Sequence, residues 1–400
     1  MKKTVLLALL AGVSLAACED KVTKPEGPSE DAVRIAQSAL IVDTHIDVPY
    51  RLQEKWDDIS AATQGGDFDY PRAKEGGLDA PFMSIYTPSK LDGTPDATVL
   101  ANDLISMVEK IAAEHPDKFR VAKSAADVEA AQKDGVIALP LGMENGSPIA
   151  DLDLLDHFYN RGIRYVTLAH AKANAIADSS YDPERPNGGL SEYGAEVVKK
   201  MNALGIMVDI SHVSDEAFWD VMALTDVPPI ASHSSARHFT PGFERNMADD
   251  MIVALAKKGG VIMINAGSSF LTEAANNWGK ERDAAYEAHL AASGEEKSHA
   301  GEDAFGISYR MTHPYPYATL DDVLDHIDYV VKIAGIDAVG IGSDFDGVGD
   351  SLPIGFKDVS DYPALVDGLL SRGYDEVAIT KILGGNLMRV WRVVEAAAQP

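Results

Sequence analysis

Apolar positions along the chain fall into two alternating patterns. Short, nearly continuous apolar runs occur at Pro81–Tyr86, Val136–Leu141, Arg164–Leu168, Ile206–Ile210, Pro228–Ser232, Gly260–Ala266 and Ala338–Ser343. They are preceded by a run that starts at Ile41-Val42 and breaks into Asp43-Thr44-His45-Ile46-Asp47. These read as about eight strands. Between most of them the apolar positions take the helical period, as over Ala97–Glu114, Tyr193–Leu204, Asp215–Leu224 and Ala248–Lys258. Ser214 supplies an N-cap, Gly205 and Gly259 supply stops, and Thr319-Leu320-Asp321-Asp322 reads as a capping box. Strands apolar on both faces, alternating with helices, predict an α/β fold: a (β/α)8 TIM barrel.

That fold gathers its chemistry at the C-terminal ends of the strands. His45 and Asp47 stand at the end of the first run, Glu144 follows the third, His170 the fourth, His212 the fifth, His233 the sixth and Asp344 the eighth. In a strand, residues two apart share a face, so His45 and Asp47 converge on one point. Three His, one Asp and one Glu are enough to hold two divalent metal ions if Glu144 bridges them. His45, Asp47 and one Glu144 oxygen hold one ion, and the other oxygen with His212 and His233 holds the second. A hard N/O set without thiolate suits zinc best, with cobalt or manganese as alternatives. Two such ions sharing a hydroxide are hydrolytic machinery.

Asp344, directly off its strand, suits the general base and then general acid; Asp346 competes for that part from within the turn. His170 is not needed as a ligand and could donate to a carbonyl oxygen that becomes anionic. Arg245 and Arg237 are rival partners for a substrate carboxylate. His115, His157, His238, His289, His299, His313 and His326 read as solvated or structural.

Composition adds little to this chemistry but excludes partners. The chain has 400 residues and a formal charge of −27, which argues against nucleic acid or an anionic lipid surface. Lys2 and Lys3, an apolar stretch and Leu15-Ala16-Ala17-Cys18 read as a secretory signal over residues 1–17, with Cys18 as the site of lipidation. Cys18 is the sole cysteine, so no disulfide forms within one chain. Residues 18–30 read as a flexible tether and 31–400 as one barrel domain with an insertion at about 268–318, either a lid, a subunit contact or a surface elaboration. The expected location is the bacterial cell envelope, with membrane attachment only through the lipid.

The motifs Asp43-Thr44-His45-Ile46-Asp47, Gly142-Met143-Glu144-Asn145-Gly146, Leu168-Ala169-His170, Asp209-Ile210-Ser211-His212, Ala231-Ser232-His233-Ser234-Ser235-Ala236-Arg237, Gly342-Ser343-Asp344-Phe345-Asp346-Gly347 and Leu383-Gly384-Gly385-Asn386, in this order, resemble the membrane (renal) dipeptidases of the amidohydrolase superfamily. The resemblance implies two zinc ions held as above. It further implies that His170 contacts the scissile carbonyl, Arg245 rather than Arg237 binds the C-terminal carboxylate of a dipeptide, and Asp344 shuttles the proton. Dipeptides beginning with an L residue and ending in an L or D residue are the implied substrates, and a homodimer is the expected assembly. The rival readings are a lactonase or other amidohydrolase and a lipoprotein that binds without turnover. Lactonase relatives often bridge their metals with a carboxylated lysine, and Lys172 is the one lysine here close to a strand end.

Overall fold

The structure is a computed structural model that describes residues 27–399; the signal, Cys18 and most of the tether lie outside the described residues. Ten strands follow in order: β1 (Ile41–Ile46), β2 (Leu78–Tyr86), β3 (Phe119–Val121), β4 (Ile137–Leu139), β5 (Leu141–Glu144), β6 (Ile163–Thr167), β7 (Met207–Asp209), β8 (Ile230–Ala231), β9 (Val261–Ile264) and β10 (Val339–Ile341). Eight of them close a parallel barrel in the order β1-β10-β9-β8-β7-β6-β5-β2, with helices in between, which is the (β/α)8 architecture. β3 and β4 form a separate two-stranded ribbon.

One expected strand differs in the structure. The apolar run Val136–Leu141 is two elements, β4 in the ribbon and β5 in the barrel, broken at Pro140. Proline has no N–H to continue a ladder, so the chain changes sheets there, and its carbonyl accepts from Met83 N–H at 2.8 Å. Glu144 is therefore the last residue of its barrel strand rather than a residue beyond it.

The helices keep close to their sequence signals. Helix Pro95–Glu114 starts on its proline, Asp215–Leu224 on Ser214, whose hydroxyl accepts from Ala217 N–H, and the capping box of Thr319 and Asp322 is formed. Among the described residues no helix is long and apolar enough to cross a membrane.

A column of aromatic rings runs through the barrel lumen among aliphatic and methionine side chains such as Val42, Met207 and Met263. Phe82 lies 5.1 Å from Trp391 and 5.4 Å from Tyr165. Trp391 belongs to the C-terminal helix Asn386–Ala397, whose Asn386 donates to the carbonyls of Ile336, just before β10, and of Val339, its first residue. That helix stoppers the N-terminal end of the barrel, and the ring column runs from it up towards His45. Gly142 makes the column possible, because a Cβ there would sit 1.9 Å from the Tyr165 ring.

The insertion is helical: Ser268–Leu271, Glu273–Ser293 and His299–Thr312. Trp278 Nε1 donates to His313 O at 2.9 Å, and Arg310 reaches from the last helix to Asp350 at 2.8 Å, past the ring of Tyr315. The root of the insertion is pinned to the barrel by His326. Its Nδ1 accepts from Ala236 N–H at 3.0 Å and its Nε2 donates to Leu271 O at 3.0 Å, so the imidazole is neutral and in a fixed tautomer.

Burial brings the pKa of His326 down from 6.5 to about 4. The unfolded chain thus takes up this proton at higher pH than the folded one. Its contribution to stability is complete above pH 6.5 and is lost as pH falls towards 4, by roughly 3 kcal/mol in all. In His326→Gln that part of the acid loss is absent. Thermal melts of the two proteins at pH 7 and pH 4.5 check this: the gap between wild type and variant should narrow at the lower pH.

Candidate active site

All seven ligand and acid/base candidates meet at the C-terminal end of the barrel. Glu144 lies at the centre with its two oxygens facing different neighbours. Oε2 is 3.5 Å from His45 Nε2 and takes a hydrogen bond from Ser84 at 3.3 Å. Oε1 is 3.2 Å from His212 Nε2, 3.3 Å from His233 Nε2 and 3.4 Å from His170 Nε2. Asp47 lies 3.4 Å from His45 Nε2, and Asp344 joins His45 and Asp47 in one cluster of ligand atoms. The imidazoles lower the Glu144 carboxyl well below its usual range against the effect of burial. Burial keeps His212 and His233 well below the ordinary imidazole value, with Arg245 adding to it, so both are neutral and offer lone pairs.

Supporting bonds set the direction of those lone pairs. Tyr165 donates its hydroxyl proton to Thr44 O at 3.0 Å, so at 2.8 Å it can only accept from His45 Nδ1–H. Nε2 of His45 is buried and without any hydrogen-bond partner. Against the effect of burial, Tyr165, Glu144 and Asp47 raise the pKa of the ring well above its ordinary value, so a cation bound here would take the place of the Nε2 proton. Asp209 repeats the device on the other side. It accepts from Ser232 Oγ at 2.6 Å, and Ser232 Oγ in turn accepts from His233 Nδ1–H at 2.7 Å. Imidazole nitrogens converge on one buried carboxylate, with His212 Nε2 and His233 Nε2 only 2.8 Å apart, and a donor set of this kind is what a cation satisfies. The residues present fit divalent metal ions.

The backbone is shaped for this too. Among the described residues, His212, Asp344, Asn145 and Asp346 are the non-glycine residues with positive φ, at 69°, 63°, 74° and 65°. Such backbone is held only where surroundings over-determine it, and here it turns side chains back over the strand ends. Asn145 is held by bonds to Thr87 O at 2.9 Å and Asp92 at 3.0 Å, which ties the end of β5 to the end of β2.

The site opens into a cavity of about 910 Å³, lined among others by Tyr50, Tyr86, His170, Tyr181, Phe270 and Asp344. The insertion contributes Ser269, Phe270, Asp283 and Lys297 to its wall. Arg245 is buried, and among the described residues its guanidinium donates only to Ser234 Oγ and His233 O, both at 2.7 Å, with no carboxylate paired to it. Arg237 is committed elsewhere: its two Nη atoms grip Asp215 at 2.6 and 2.7 Å. Asp346 also lines the cavity but is committed, paired with Arg51 at 2.9 Å and accepting from Asp67 N–H at 2.7 Å. Of the rival pairs left by the sequence, the free members are Arg245 and Asp344.

The family model of the membrane dipeptidases, peptidase family M19, matches residues 29–400. The chain belongs to this family. It is 32% identical over 387 residues to an uncharacterised dipeptidase of Schizosaccharomyces pombe, covering 91% of this chain and 82% of that protein. Among solved structures, the probable dipeptidase PvdM from Pseudomonas aeruginosa superposes with a TM-score of 0.82 at 27% identity, covering 92% of this chain and 98% of that one. A metallopeptidase from Rhodobacter sphaeroides, liganded with a phosphinate mimic of the dipeptide L-Ala-D-Ala, superposes with a TM-score of 0.72 at 27% identity, covering 89% and 99%. The protein is thus a metallo-dipeptidase, a hydrolase acting on peptide bonds.

Two strand ends for which the sequence offers no candidate residue are both occupied in this membrane dipeptidase. Tyr86 ends β2 and lines the cavity, its ring 4.8 Å from His170. Asn265 directly follows β9; its Nδ2 donates to Asp344 Oδ2 at 2.7 Å while its Oδ1 accepts from Gly267 N–H, which fixes the amide's orientation. Neither an amide nor a phenol is a metal or acid/base residue type of the kind sought, so neither stood out. The remaining histidines whose side chains are described lie outside the cavity lining; His157 bonds Asn102 and His238 stacks on Tyr329.

Proposed function

We propose that this dipeptidase holds two zinc ions, one on His45, Asp47 and Glu144 Oε2, the other on Glu144 Oε1, His212 and His233. The observation that carries the proposal is the central carboxylate with one oxygen turned to each group. Zinc ions bound there would lower the pKa of a shared water towards neutrality and polarise the peptide carbonyl.

The chain's own residues do the rest. Arg245 pairs with the free carboxylate of a dipeptide and fixes its register. His170, whose pKa burial lowers, is a neutral imidazole that donates to the carbonyl oxygen as negative charge grows on it. Asp344 takes the proton of the attacking water and delivers it to the departing amine. Its Oδ2 is held by Asn265, so Oδ1 carries that proton. The products are two free amino acids. The export signal read from the sequence fits work on dipeptides released from the cell wall, with an L or a D residue in second place.

His170 lies about as near to Glu144 as the two proposed ligands do, so its role needs its own test. His170→Ala should keep two metal ions per chain while kcat/KM falls roughly 10²- to 10³-fold, the loss typical of removing one oxyanion donor. Loss of one ion would make it a ligand instead. Tyr165→Phe should weaken one of two metal-binding steps by roughly 10- to 100-fold, as supporting partners of a ligand do, leaving the other step unchanged. Metal titration of the apoprotein reads both steps.

A further inference from the structure

Tyr181 and Phe270, from separate loops, line the cavity beside the buried Arg245, and Phe243, from a third loop, packs between them outside the lining. Tyr181 follows β6, Phe243 precedes Arg245 after β8, and Phe270 sits at the root of the insertion. The rings form an arc, Tyr181 to Phe243 at 6.1 Å and Phe243 to Phe270 at 5.7 Å. The Arg245 guanidinium lies 5.3 Å over the Phe270 ring. Val348 continues the wall: a Cβ on Gly267 would come within 2.9 Å of both Val348 and the Phe270 ring, so these two side chains crowd the same glycine.

The wall is fixed rather than a flap. Phe270 O accepts from Asn246 Nδ2 at 2.7 Å and the next carbonyl, of Leu271, accepts from His326. Asn246 is fully buried and also bonds Thr240 at 2.7 Å. The insertion's own charged residues at the cavity are neutralised at its rim: Asp283 pairs with Arg282 at 2.5 Å and Lys297 with Glu287 at 2.6 Å.

In a dipeptide the C-terminal side chain leaves the carbon that bears the carboxylate. A carboxylate on Arg245 therefore presses that side chain against the residues around Arg245. We propose that Tyr181, Phe270 and Val348 form the subsite for the C-terminal side chain and select dipeptides in which it is apolar. This rests on Arg245 as the carboxylate partner. A charged side chain in the same place would lose its hydration against rings without gaining a partner.

The test is a panel of L-Ala-Xaa dipeptides with Xaa as Gly, Leu, Asp or Lys, in the L and D forms where they exist. In the configuration the enzyme accepts, kcat/KM for Leu should exceed that for Gly by about tenfold or more, as burial of four carbons implies, with Asp and Lys below Gly. Phe270→Ala should shrink the Leu-over-Gly ratio at least fivefold, roughly the effect of removing one wall of the subsite, and Phe270→Leu should retain it. The ratio does not depend on the fraction of active protein. A flat panel, a panel led by Asp or Lys, or an unchanged ratio in Phe270→Ala overturns the inference. The C-terminal amide of the best dipeptide separates this failure from that of its premise. Hydrolysis of the amide as fast as of the acid removes the role of Arg245 and the inference with it. A flat panel together with a strict need for the free acid removes the subsite alone.

Discussion

Replacing Asp344 with Asn lowers kcat by roughly 10²- to 10⁴-fold while the metal content stays at that of the wild type. Three observations make this the cleanest substitution in the site. Asn tolerates the left-handed backbone that Asp344 adopts, with φ at 63°. The Asp344 side chain is 7% exposed and bonded through Oδ2 to Asn265, so the isosteric amide fits the same space. Burial, with the carboxylates of Asp47 and Glu144 adding to it, pushes the Asp344 carboxyl up to about 7, into the range where a group both accepts and releases a proton. Cations in the site would pull that value down again. Steady-state kinetics with parallel metal analysis checks the outcome. Unchanged turnover would remove Asp344 from the proton path, and Asp346 would not replace it, being tied to Arg51.

The second large effect is on metal retention. Glu144→Gln should weaken binding at both positions by more than about a hundredfold, a larger loss than a supporting partner causes. The amide introduced by this substitution would present an N–H face where a carboxylate oxygen is needed, so one group of imidazoles loses its anion altogether. Chelator titration of the variant, with the released metal counted, reads the loss. A variant that keeps two ions as tightly as the wild type would mean that Glu144 does not bridge. Activity should fall with the metal and should not return at metal concentrations that saturate the wild type.

The barrel and most of its site were legible because they follow simple periodicities. Parallel strands covered on both faces read as apolar runs, and their C-terminal ends are where His45, Asp47, His170, His212, His233 and Asp344 stand. The limits of that reading are equally physical. Pro140 splits one apolar run between two sheets, and nothing in hydrophobicity marks the break. The tie between Arg237 and Arg245 depends on what each guanidinium meets across the fold. Asp215, the partner that commits Arg237, is 22 residues away in sequence. Asn265 and Tyr165 act through other side chains, so their importance appears only when Asp344 and His45 are seen against them. The insertion carried no signal for its place, yet Phe270 at its root forms part of the cavity wall.

The most direct test of the central claim is elemental analysis of the purified protein paired with dipeptide hydrolysis before and after chelation. About two zinc ions per chain are expected, with release of both amino acids from the dipeptide, loss of that activity on chelation, and its return when zinc is restored. A single tightly held ion supporting full activity would contradict the two-ion site. Chelation that empties the protein without changing turnover would contradict the assignment of this constellation as the catalytic centre.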